Sequence, residues 1–487
     1  MSKHLNALVH STILYLPAQC VPPIVQFVTT VYWTYLLDPA TFGFVNFIIS
    51  IQEIVAFFGL TGWTLFVLRF RERFRSGNND RFVAMDQRMT ASSCLIQFVL
   101  APVVLNVLGM PCDAATIAAT AAYLITKMLV SHYSDWARAD HAIGAYTAAQ
   151  LIGSICGLGL WLAAIPLFGA TAAVVIGAQA LGQALALAAL VLLANVRFGA
   201  GVFDKALFAQ FRRFATPILL GGVIGWGAGN VIRVLVQYID GPMALGLISA
   251  GWAIGQRIAS VLAMLLTAAA FPLAVKHYEA GDRQGALSQI SFNGLLLLGL
   301  LLPACIGLST LVEPVVTLLI AEKFRETTIA VLPIALCAAS LRYLRIHTCE
   351  QAMYLIERPQ LTIWVLGGEA LANIVFCAIG LHWAGFAGAA WGMFLGTALT
   401  TLASYIFCFV SLDLPLPAAR DVLKIVAACG AMSAALHFAP QTTQPVVIAA
   451  AIIVGASVYA LALLVLFPQI RASLARRFLQ PSCEATP

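Results

Sequence analysis

The sequence predicts an all-α integral membrane protein of about fourteen transmembrane helices, built from two pseudo-symmetric six-helix lobes and two further C-terminal helices. Three observations support this fold class: the composition, the long apolar runs, and a one-sided distribution of Lys and Arg. Hydrophobic residues make up 61% of the 487 residues, charged residues make up 10%, and the mean hydropathy is +0.92. So little polar sequence cannot solvate a globule of this size, so we expect the chain to lie in a lipid bilayer.

The apolar runs are long enough to cross a bilayer, which takes about twenty residues of helix. Because the bilayer core offers no water, each run must satisfy its own backbone hydrogen bonds, and a helix does this within one segment. The predicted spans cover about 9–37, 42–69, 83–109, 114–136, 142–165, 169–196, 214–239, 243–275, 288–312, 329–356, 361–383, 385–412, 420–439 and 446–468. The first run, from Val9 to Leu37, is too long for a signal-peptide core, so we expect it to remain as a helix.

The basic residues test this assignment, because Lys and Arg accumulate at the cytoplasmic ends of spans. With a cytoplasmic N-terminus, external loops hold only Lys323 and Arg325. The predicted cytoplasmic positions hold Lys3, Arg69, Arg71, Arg73, Arg75, Arg81, Arg88, Arg138, Arg197, Lys205, Arg212, Arg213, Lys276, Arg283, Arg358, Arg420, Lys424, Arg471, Arg476 and Arg477. This asymmetry predicts an even number of spans with both termini in the cytoplasm. The net charge of +6 then reflects topology and does not indicate a nucleic-acid partner.

An internal repeat indicates how the helices are grouped, since many transporters consist of two copies of one helix bundle. One sequence match relates the first predicted external turn to the fourth, and a second match relates Gly169 to Gly385 at the starts of two predicted helices. The residues of the first match are Asp38, Pro39 and Gly43, which correspond to Asp240, Pro242 and Gly246. We therefore expect an N-terminal lobe at 1–213, a C-terminal lobe at 214–412, and two accessory helices with a basic cytoplasmic tail at 413–487.

Ionisable residues inside the predicted spans locate a candidate functional interior, because such groups are costly in lipid and face a bundle interior or a water-filled cavity. Five bases and three acids lie there, an excess of two positive charges that favours an anionic substrate. The predicted substrate contacts are Arg257, Arg342, Arg345, Arg233 and Lys127, with Gln256 as a neutral polar neighbour. The predicted candidates for ion coupling are Glu53, Glu369 and Glu350.

Arg342 and Arg345 are three residues apart and so share a helix face, where two guanidinium groups can grip a phosphate through bidentate hydrogen bonds. An alternative interpretation is that these acids and bases are structural ion pairs that join helices. No phosphate-binding GxxxxGK[ST] stretch, HExxH pair or Cys/His ligand spacing occurs, so we expect neither a cofactor nor a metal site. The eleven scattered cysteines are interpreted as small buried hydrophobic residues.

Several segments together resemble the oligosaccharidyl-lipid flippases, the Wzx-type polysaccharide exporters of the multidrug/oligosaccharidyl-lipid/polysaccharide (MOP) exporter superfamily. They are YLLDPATFGFVNFIISIQEIVAFFGLTG, IDGPMALGLISAGWAIGQRIA, FPLAVKHYEAGDRQGAL and EALANIVFCAIGLHWAGFAGAAWG. The likeness runs from helix one to helix twelve, and two extra helices follow as in the lipid II flippase branch. It implies a fold like that of multidrug MATE transporters and the lipid II flippase, with a central cationic cavity that opens alternately to the two sides.

The resemblance also implies a function in the bacterial inner membrane. The expected substrate is an undecaprenyl diphosphate-linked oligosaccharide, flipped from the inner to the outer leaflet for O-antigen, capsule or exopolysaccharide synthesis. The expected partners are this lipid-linked glycan, membrane lipids, a polysaccharide polymerase and a chain-length regulator, with no nucleic acid. Two other readings stay open: a cation-coupled multidrug antiporter of the same superfamily, and a membrane-embedded polysaccharide-processing enzyme such as a polymerase or an acyltransferase.

Overall fold

Most of the chain that the structure describes is helical. The computed structural model describes residues 2–75, 79–107, 109, 113–194, 196, 199, 201–440, 442–469 and 471. No strand occurs among these residues, which confirms the all-α fold class. The predicted basic tail, with Arg476 and Arg477, and the predicted loop residue Arg197 lie outside the described residues.

Thirteen helices follow one another in the described ranges. They are α1 (Ser2–Leu36), α2 (Pro39–Arg75), α3 (Asn79–Val107), α4 (Ala114–Ala139), α5 (Ile143–Phe168), α6 (Ala172–Ala194), α7 (Lys205–Glu279), α8 (Arg283–Thr310), α9 (Val312–Leu319), α10 (Glu322–Leu355), α11 (Gln360–Leu412), α12 (Ala419–His437) and α13 (Pro445–Leu466). By length and composition, ten helices in the described part of the chain can cross a membrane. The finer expectation of fourteen crossings stays a prediction.

Two long helices are broken at the points where the sequence predicts a turn between spans. Helix α7 contains Gly241 at φ 82° and ψ −175°, and helix α11 contains Ala384 and Gly385, the latter at φ 57°. Glycine adopts such positive φ values without the steric penalty of a Cβ atom. Each of these helices therefore carries two of the predicted spans in succession, one on each side of its break.

Helices α2 and α10 each contain one short π-helical segment that the sequence did not predict. The segments are Phe57–Thr61 in α2 and Ile346–Glu350 in α10. A π segment inserts one extra residue into a turn and frequently lies at a functional position. Both segments lie next to the buried charged groups described below.

The described chain forms two compact units. The first contains Met1–Ala250 and Thr362–Ala389, and the second contains Gly251–Leu361 and Ala390–Pro487. These boundaries fall elsewhere than residue 213, and the two six-helix lobes with their accessory region stay a prediction. Each unit has its own apolar core: Trp63, Phe66 and Phe82 stack in the first, and small residues such as Ala259 and Ala339 pack in the second.

Within the first unit, two residues matched by the internal repeat lie against each other. A Cβ atom at Gly43 would overlap the carbonyl oxygen of Pro242 and lie 2.6 Å from the backbone nitrogen of Gly246. A Cβ atom at Gly246 would in turn overlap the carbonyl oxygen of Pro39. The contact is reciprocal, as expected where equivalent parts of two repeats meet, and only glycine at both positions permits it.

Candidate functional site

In the second unit, the part of α7 after its break packs closely against α10. A Cβ atom at Gly251 would lie 3.2 Å from the backbone nitrogen of Leu332, and one at Gly255 would lie 2.7 Å from that of Leu336. Both pairs advance by four residues in the same direction, so the two helices run parallel. The small side chain of Ala335 faces the same contact, which lets the backbones approach closely.

This packing brings the predicted substrate contacts Arg257 and Arg342 to neighbouring helices. The register of the contact places Arg257 level with residues 337–338, so Arg342 lies roughly 7 Å further along the common axis at 1.5 Å per residue. Both side chains are half-buried, as is that of Gln256. The register fixes only this axial offset, and binding of one anionic group by both arginines stays a prediction.

Arg345 has a different environment from Arg342, although the two residues share a helix face. Its side chain is 0% exposed, and its Nε donates to Oε1 of Glu350 at 3.3 Å. Glu350 is 5% exposed and ends the π segment of α10, so the ion pair closes over that segment. This ion pair within one helix is of the kind that the alternative interpretation expects, and the role of Arg345 in substrate binding stays a prediction.

Arg233 joins two helices of the first unit. Its guanidinium donates to Oγ of Ser50 at 2.9 Å and to Oδ1 of Asn230 at 2.6 Å. Two turns earlier on α7, the indole of Trp226 donates to the backbone carbonyl of Ser50 at 2.9 Å. These bonds tie the first part of α7 to α2, and Arg233 remains half-buried.

The remaining predicted site residues all lie in the first unit. Glu369 on α11 is fully buried, one turn before Asn373, whose side-chain amide donates to the backbone carbonyl of Ala228 at 2.9 Å. Glu53 on α2 is exposed, and Lys127 on α4 is half-buried. The roles assigned to these residues, in substrate binding or ion coupling, stay predictions.

A buried polar network in the first unit was not predicted from the sequence. Oδ1 of Asp86 on α3 accepts from the indole of Trp63 at 2.6 Å and lies 2.9 Å from Nε2 of His132 on α4. The other ring nitrogen of His132, Nδ1, lies 2.8 Å from the hydroxyl of Thr64 on α2. Asp86 and His132 are 3% and 1% exposed. Their positions near the ends of predicted spans, with no local motif, gave no signal in the sequence.

A cavity of about 580 Å³ adjoins this network. Its mouth is framed by Arg71, whose guanidinium donates to both carboxylate oxygens of Asp140 at 3.0 and 3.3 Å and stacks over the ring of Trp136. The described residues that line the cavity are Arg71, Arg75, Asn79, Asp80, Val83, Ala84, Asp86, Gln87, Tyr133, Trp136, Asp140, Ala142, Leu193, Ala194 and Val196. It therefore lies at the end of the helix bundle where the sequence predicts the cytoplasmic loops.

Comparison with known proteins identifies the family. Residues 8–277, more than half of the chain, match the family of polysaccharide biosynthesis proteins. The chain belongs to this family. No curated protein matches the sequence significantly.

Solved structures show which fold this polysaccharide biosynthesis protein adopts. It superposes on the lipid II flippase MurJ in an inward closed conformation with a TM-score of 0.74 and 14% identity, covering 96% of this chain and 100% of that one. An inward-facing multidrug resistance MATE transporter of the MOP superfamily superposes with a TM-score of 0.66 and 12% identity, covering 85% of this chain and 98% of that one. A MOP superfamily transporter from Pyrococcus furiosus superposes with a TM-score of 0.54 and 14% identity, covering 86% of this chain and 96% of that one.

These matches confirm the resemblance to the MOP superfamily and the predicted MATE- and flippase-like fold. The family is that of polysaccharide biosynthesis proteins, and the fold is the one that the lipid II flippase MurJ and the multidrug MATE transporters share. Among the described residues, no group of three or more His, Cys, Asp or Glu side chains is arranged to hold a metal ion.

Proposed function

We propose that this protein is a flippase that moves undecaprenyl diphosphate-linked oligosaccharide repeat units from the inner to the outer leaflet of the bacterial inner membrane. The exported unit would serve O-antigen, capsule or exopolysaccharide synthesis. The observation that carries the proposal is the pair of half-buried arginines, Arg257 and Arg342, on parallel packed helices of a polysaccharide biosynthesis family member. Cationic groups kept inside spanning helices are expensive in lipid, and an anionic head group gives them a function.

The proposed mechanism is electrostatic. The guanidinium groups of Arg257 and Arg342 bind the diphosphate through charge-assisted hydrogen bonds, which are stronger in a low-dielectric interior than in water. Arg233, Lys127 and Gln256 remain candidates for further polar contacts. The polyprenyl tail stays in the lipid while the head group crosses through a cationic cavity, and the two predicted lobes expose that cavity alternately to the two sides.

Binding alone does not drive net export. A ligand shifts an equilibrium between two conformations only by its differential affinity for them, so export needs an ion gradient or removal of the product. A polymerase and a chain-length regulator in the same membrane are the proposed consumers of the exported unit. Both termini are proposed to lie in the cytoplasm, and the protein is proposed to transport its substrate without chemical change.

The test is transport by the purified protein in liposomes. The probe is a fluorophore-labelled polyprenyl diphosphate saccharide, and a membrane-impermeant quencher reports how much of it reaches the outer leaflet. Replacing Arg257 and Arg342 together by Gln is expected to lower the initial rate about 10-fold or more, because each hydrogen bond to a charged group contributes about 1.5–3 kcal/mol. Arg345 is left in place, because removing one member of a buried ion pair destabilises the fold.

The matched control is Arg420→Gln, which removes an exposed arginine paired with Asp421 at the start of α12. This variant is expected to transport at the wild-type rate. Wild-type rates in Arg257→Gln/Arg342→Gln would contradict the proposed binding role. The multidrug-antiporter alternative rests on the likeness to MATE transporters, and efflux of a cationic dye from the same liposomes, without movement of the lipid probe, would establish it instead.

A further inference from the structure

In the network around Asp86, the hydroxyl group of Thr64 can donate its hydrogen to either of two acceptors. The hydroxyl of Thr64 lies 3.1 Å from the backbone carbonyl of Leu60 and 2.8 Å from Nδ1 of His132. When His132 carries two ring protons, it donates to both Asp86 and Thr64, and the Thr64 hydroxyl donates to Leu60. When His132 is neutral, it keeps the proton toward Asp86, and the Thr64 hydroxyl turns to donate to Nδ1. Both protonation states are thus satisfied by rotation of one hydroxyl group.

The charge of the network differs between these two states. With the extra proton, an Asp86 carboxylate faces an imidazolium and the pair is neutral. Without it, the carboxylate keeps a net charge of −1 in a buried site, stabilised by the indole of Trp63 and the ring of neutral His132. A buried net charge is costly, so a cation that neutralises it binds favourably. Because the site already holds a titratable ring at hydrogen-bond distance, the cation that fits is a proton.

Two arginines near the pair are themselves paired with other acids. Arg71 is paired with Asp140 at 3.0 Å, and Arg138 is paired with Asp135 at 3.0 Å. The titratable groups around the pair in the described residues are Arg71 and Arg75 of α2, Asp80 and Cys94 of α3, Tyr133, Asp135, Arg138 and Asp140 of α4, and Tyr146 of α5. Of these, Asp80 is exposed at the mouth of the cavity, where water screens its charge.

The position of the network gives protons access to it and connects its protonation state to a spanning helix. Asp86 and Tyr133 line the cavity of about 580 Å³, which opens toward the predicted cytoplasmic end and provides a route for protons. Leu60, whose carbonyl accepts the Thr64 hydroxyl in one protonation state, lies in the π segment Phe57–Thr61 of α2. Changing the protonation state therefore changes a hydrogen bond at an irregular turn of a spanning helix.

We propose that the buried Asp86–His132 pair, reached through this cavity, is a proton-binding site whose occupancy is linked to translocation of the anionic lipid-linked substrate. The linkage rests on the proposed flippase function, while the proton site itself does not. The pair joins α3 to α4 directly and reaches α2 through Trp63 and Thr64. Proton uptake at this point therefore alters the contacts among three helices at once.

The experiment has two independent readouts. The first is nuclear magnetic resonance of ¹⁵N-histidine-labelled protein in nanodiscs over about pH 5.5–8.5, the range in which histidine titrates. The His132 signal is assigned by its loss in His132→Gln. It is expected to titrate in the wild type and to change its titration midpoint in Asp86→Asn. Asp421→Asn is the control, since Asp421 belongs to the second unit and pairs with Lys424 at 2.9 Å.

The second readout is the pH profile of lipid-probe transport in liposomes. The wild-type rate is expected to change about 5-fold or more over that range, the lower end of the coupling usual between linked sites. Asp86→Asn and His132→Gln are expected to flatten the profile, and Asp421→Asn is expected to retain it. Should Asp86→Asn fail to fold, Thr64→Val replaces it in both readouts. This variant removes the rotating hydroxyl, so it is likewise expected to change the His132 titration midpoint and to flatten the pH profile.

The outcomes separate the two proposals. A His132 signal that does not titrate, or that ignores Asp86→Asn, overturns the proton site. A titrating signal with wild-type transport that is independent of pH overturns the linkage. A titrating signal with no transport of the lipid probe by the wild type overturns the flippase proposal and leaves the proton site standing.

Discussion

The two units each hold a buried pair of an acidic and a basic side chain beside a π-helical segment, and the two pairs differ in what they can do. In the first unit, Asp86 and His132 come from two helices and share their hydrogen bonds with Trp63 and Thr64. In the second, Arg345 pairs with Glu350 across one turn of the same helix. The first pair contains a histidine, a residue type that can exchange a proton in the physiological range, whereas an arginine stays charged at every physiological pH.

This difference separates a site that can change state from one that cannot. The Arg345–Glu350 pair spans the π segment of α10 and holds it in one geometry. The Asp86–His132 pair links separate helices and adjoins a cavity, so its charge state can be set from outside the bundle. Burial of charge alone therefore does not identify a functional group, and the identity and connectivity of its partner decide the role.

The largest effect is expected from breaking the fixed pair. Arg345→Met removes the guanidinium group that pairs with buried Glu350, and the loss in unfolding free energy is expected to be about 3–5 kcal/mol. Thermal unfolding in detergent measures it. The double variant Arg345→Met/Glu350→Leu is expected to regain most of the loss, because a matched apolar pair replaces the ion pair. A double variant that folds like the wild type but no longer transports would instead assign Arg345 a direct part in substrate binding.

A smaller effect is expected at the counterpart of Thr64 in the second unit. Thr348, within the π segment of α10, lies 2.8 Å from the hydroxyl of Tyr405, as Thr64 lies beside His132. Tyr405→Phe is expected to lower the free energy of unfolding by about 0.5–1.5 kcal/mol, because the hydrogen bond to Thr348 is lost. The pH profile of transport is expected to stay unchanged, because no histidine takes part in this contact. A flattened profile in Tyr405→Phe would remove the distinction between the two π segments.

The smallest effect is expected at an exposed acid, which contrasts with buried Asp86. Asp38 caps α2 by accepting from the backbone nitrogens of Ala40 and Thr41 at 2.9 and 3.1 Å. Partial burial raises the pKa of Asp38, but its hydrogen bonds to Thr41 and Ala40 outweigh this and hold the pKa below its usual 3.8. Asp38→Ala is expected to lower the free energy of unfolding by about 0.5 kcal/mol. Asp38→Asn is expected to lower it by less, because asparagine keeps a capping oxygen.

The sign of the pH dependence follows from that lowered pKa. The ionised cap stabilises the fold fully above the ordinary pKa of 3.8 and loses this contribution as the pH falls through the lower folded value. The difference in unfolding temperature between wild type and Asp38→Ala is therefore expected to be constant around neutral pH and to shrink in strong acid. A difference that varies between pH values near neutrality would contradict this assignment.

The helix pattern could be read from the sequence because hydropathy and turn residues act locally. The predicted breaks at 240–242 and 384 coincide with Gly241 in α7 and with Ala384 and Gly385 in α11, whose non-helical φ and ψ angles interrupt each helix there. The internal repeat was also visible, and its glycines Gly43 and Gly246 lie in reciprocal contact. The π segments could not be foreseen, because they depend on packing around them and not on a residue pattern.

The candidate site was predicted only in part. Hydropathy drew attention to Arg257 and Arg342, because a charge in an apolar run is visible in any sequence. It gave equal weight to Arg345, whose partner Glu350 is five residues away and becomes a neighbour only where the helix widens into a π turn. It missed Asp86, because an acid near the end of a predicted span is usually solvated.

The sequence by itself determined that the chain is a helical membrane protein and where its two longest helices are interrupted, and its charge distribution predicts which side carries the basic loops. These properties depend on the transfer of each segment into lipid and on nearby loop charges, which are sums over neighbouring residues. Tertiary structure decided which buried charges are neutralised and which adjoin a cavity. Asp86 and His132 are 46 residues apart in the chain, and only the packing of α3 against α4 brings them to hydrogen-bond distance.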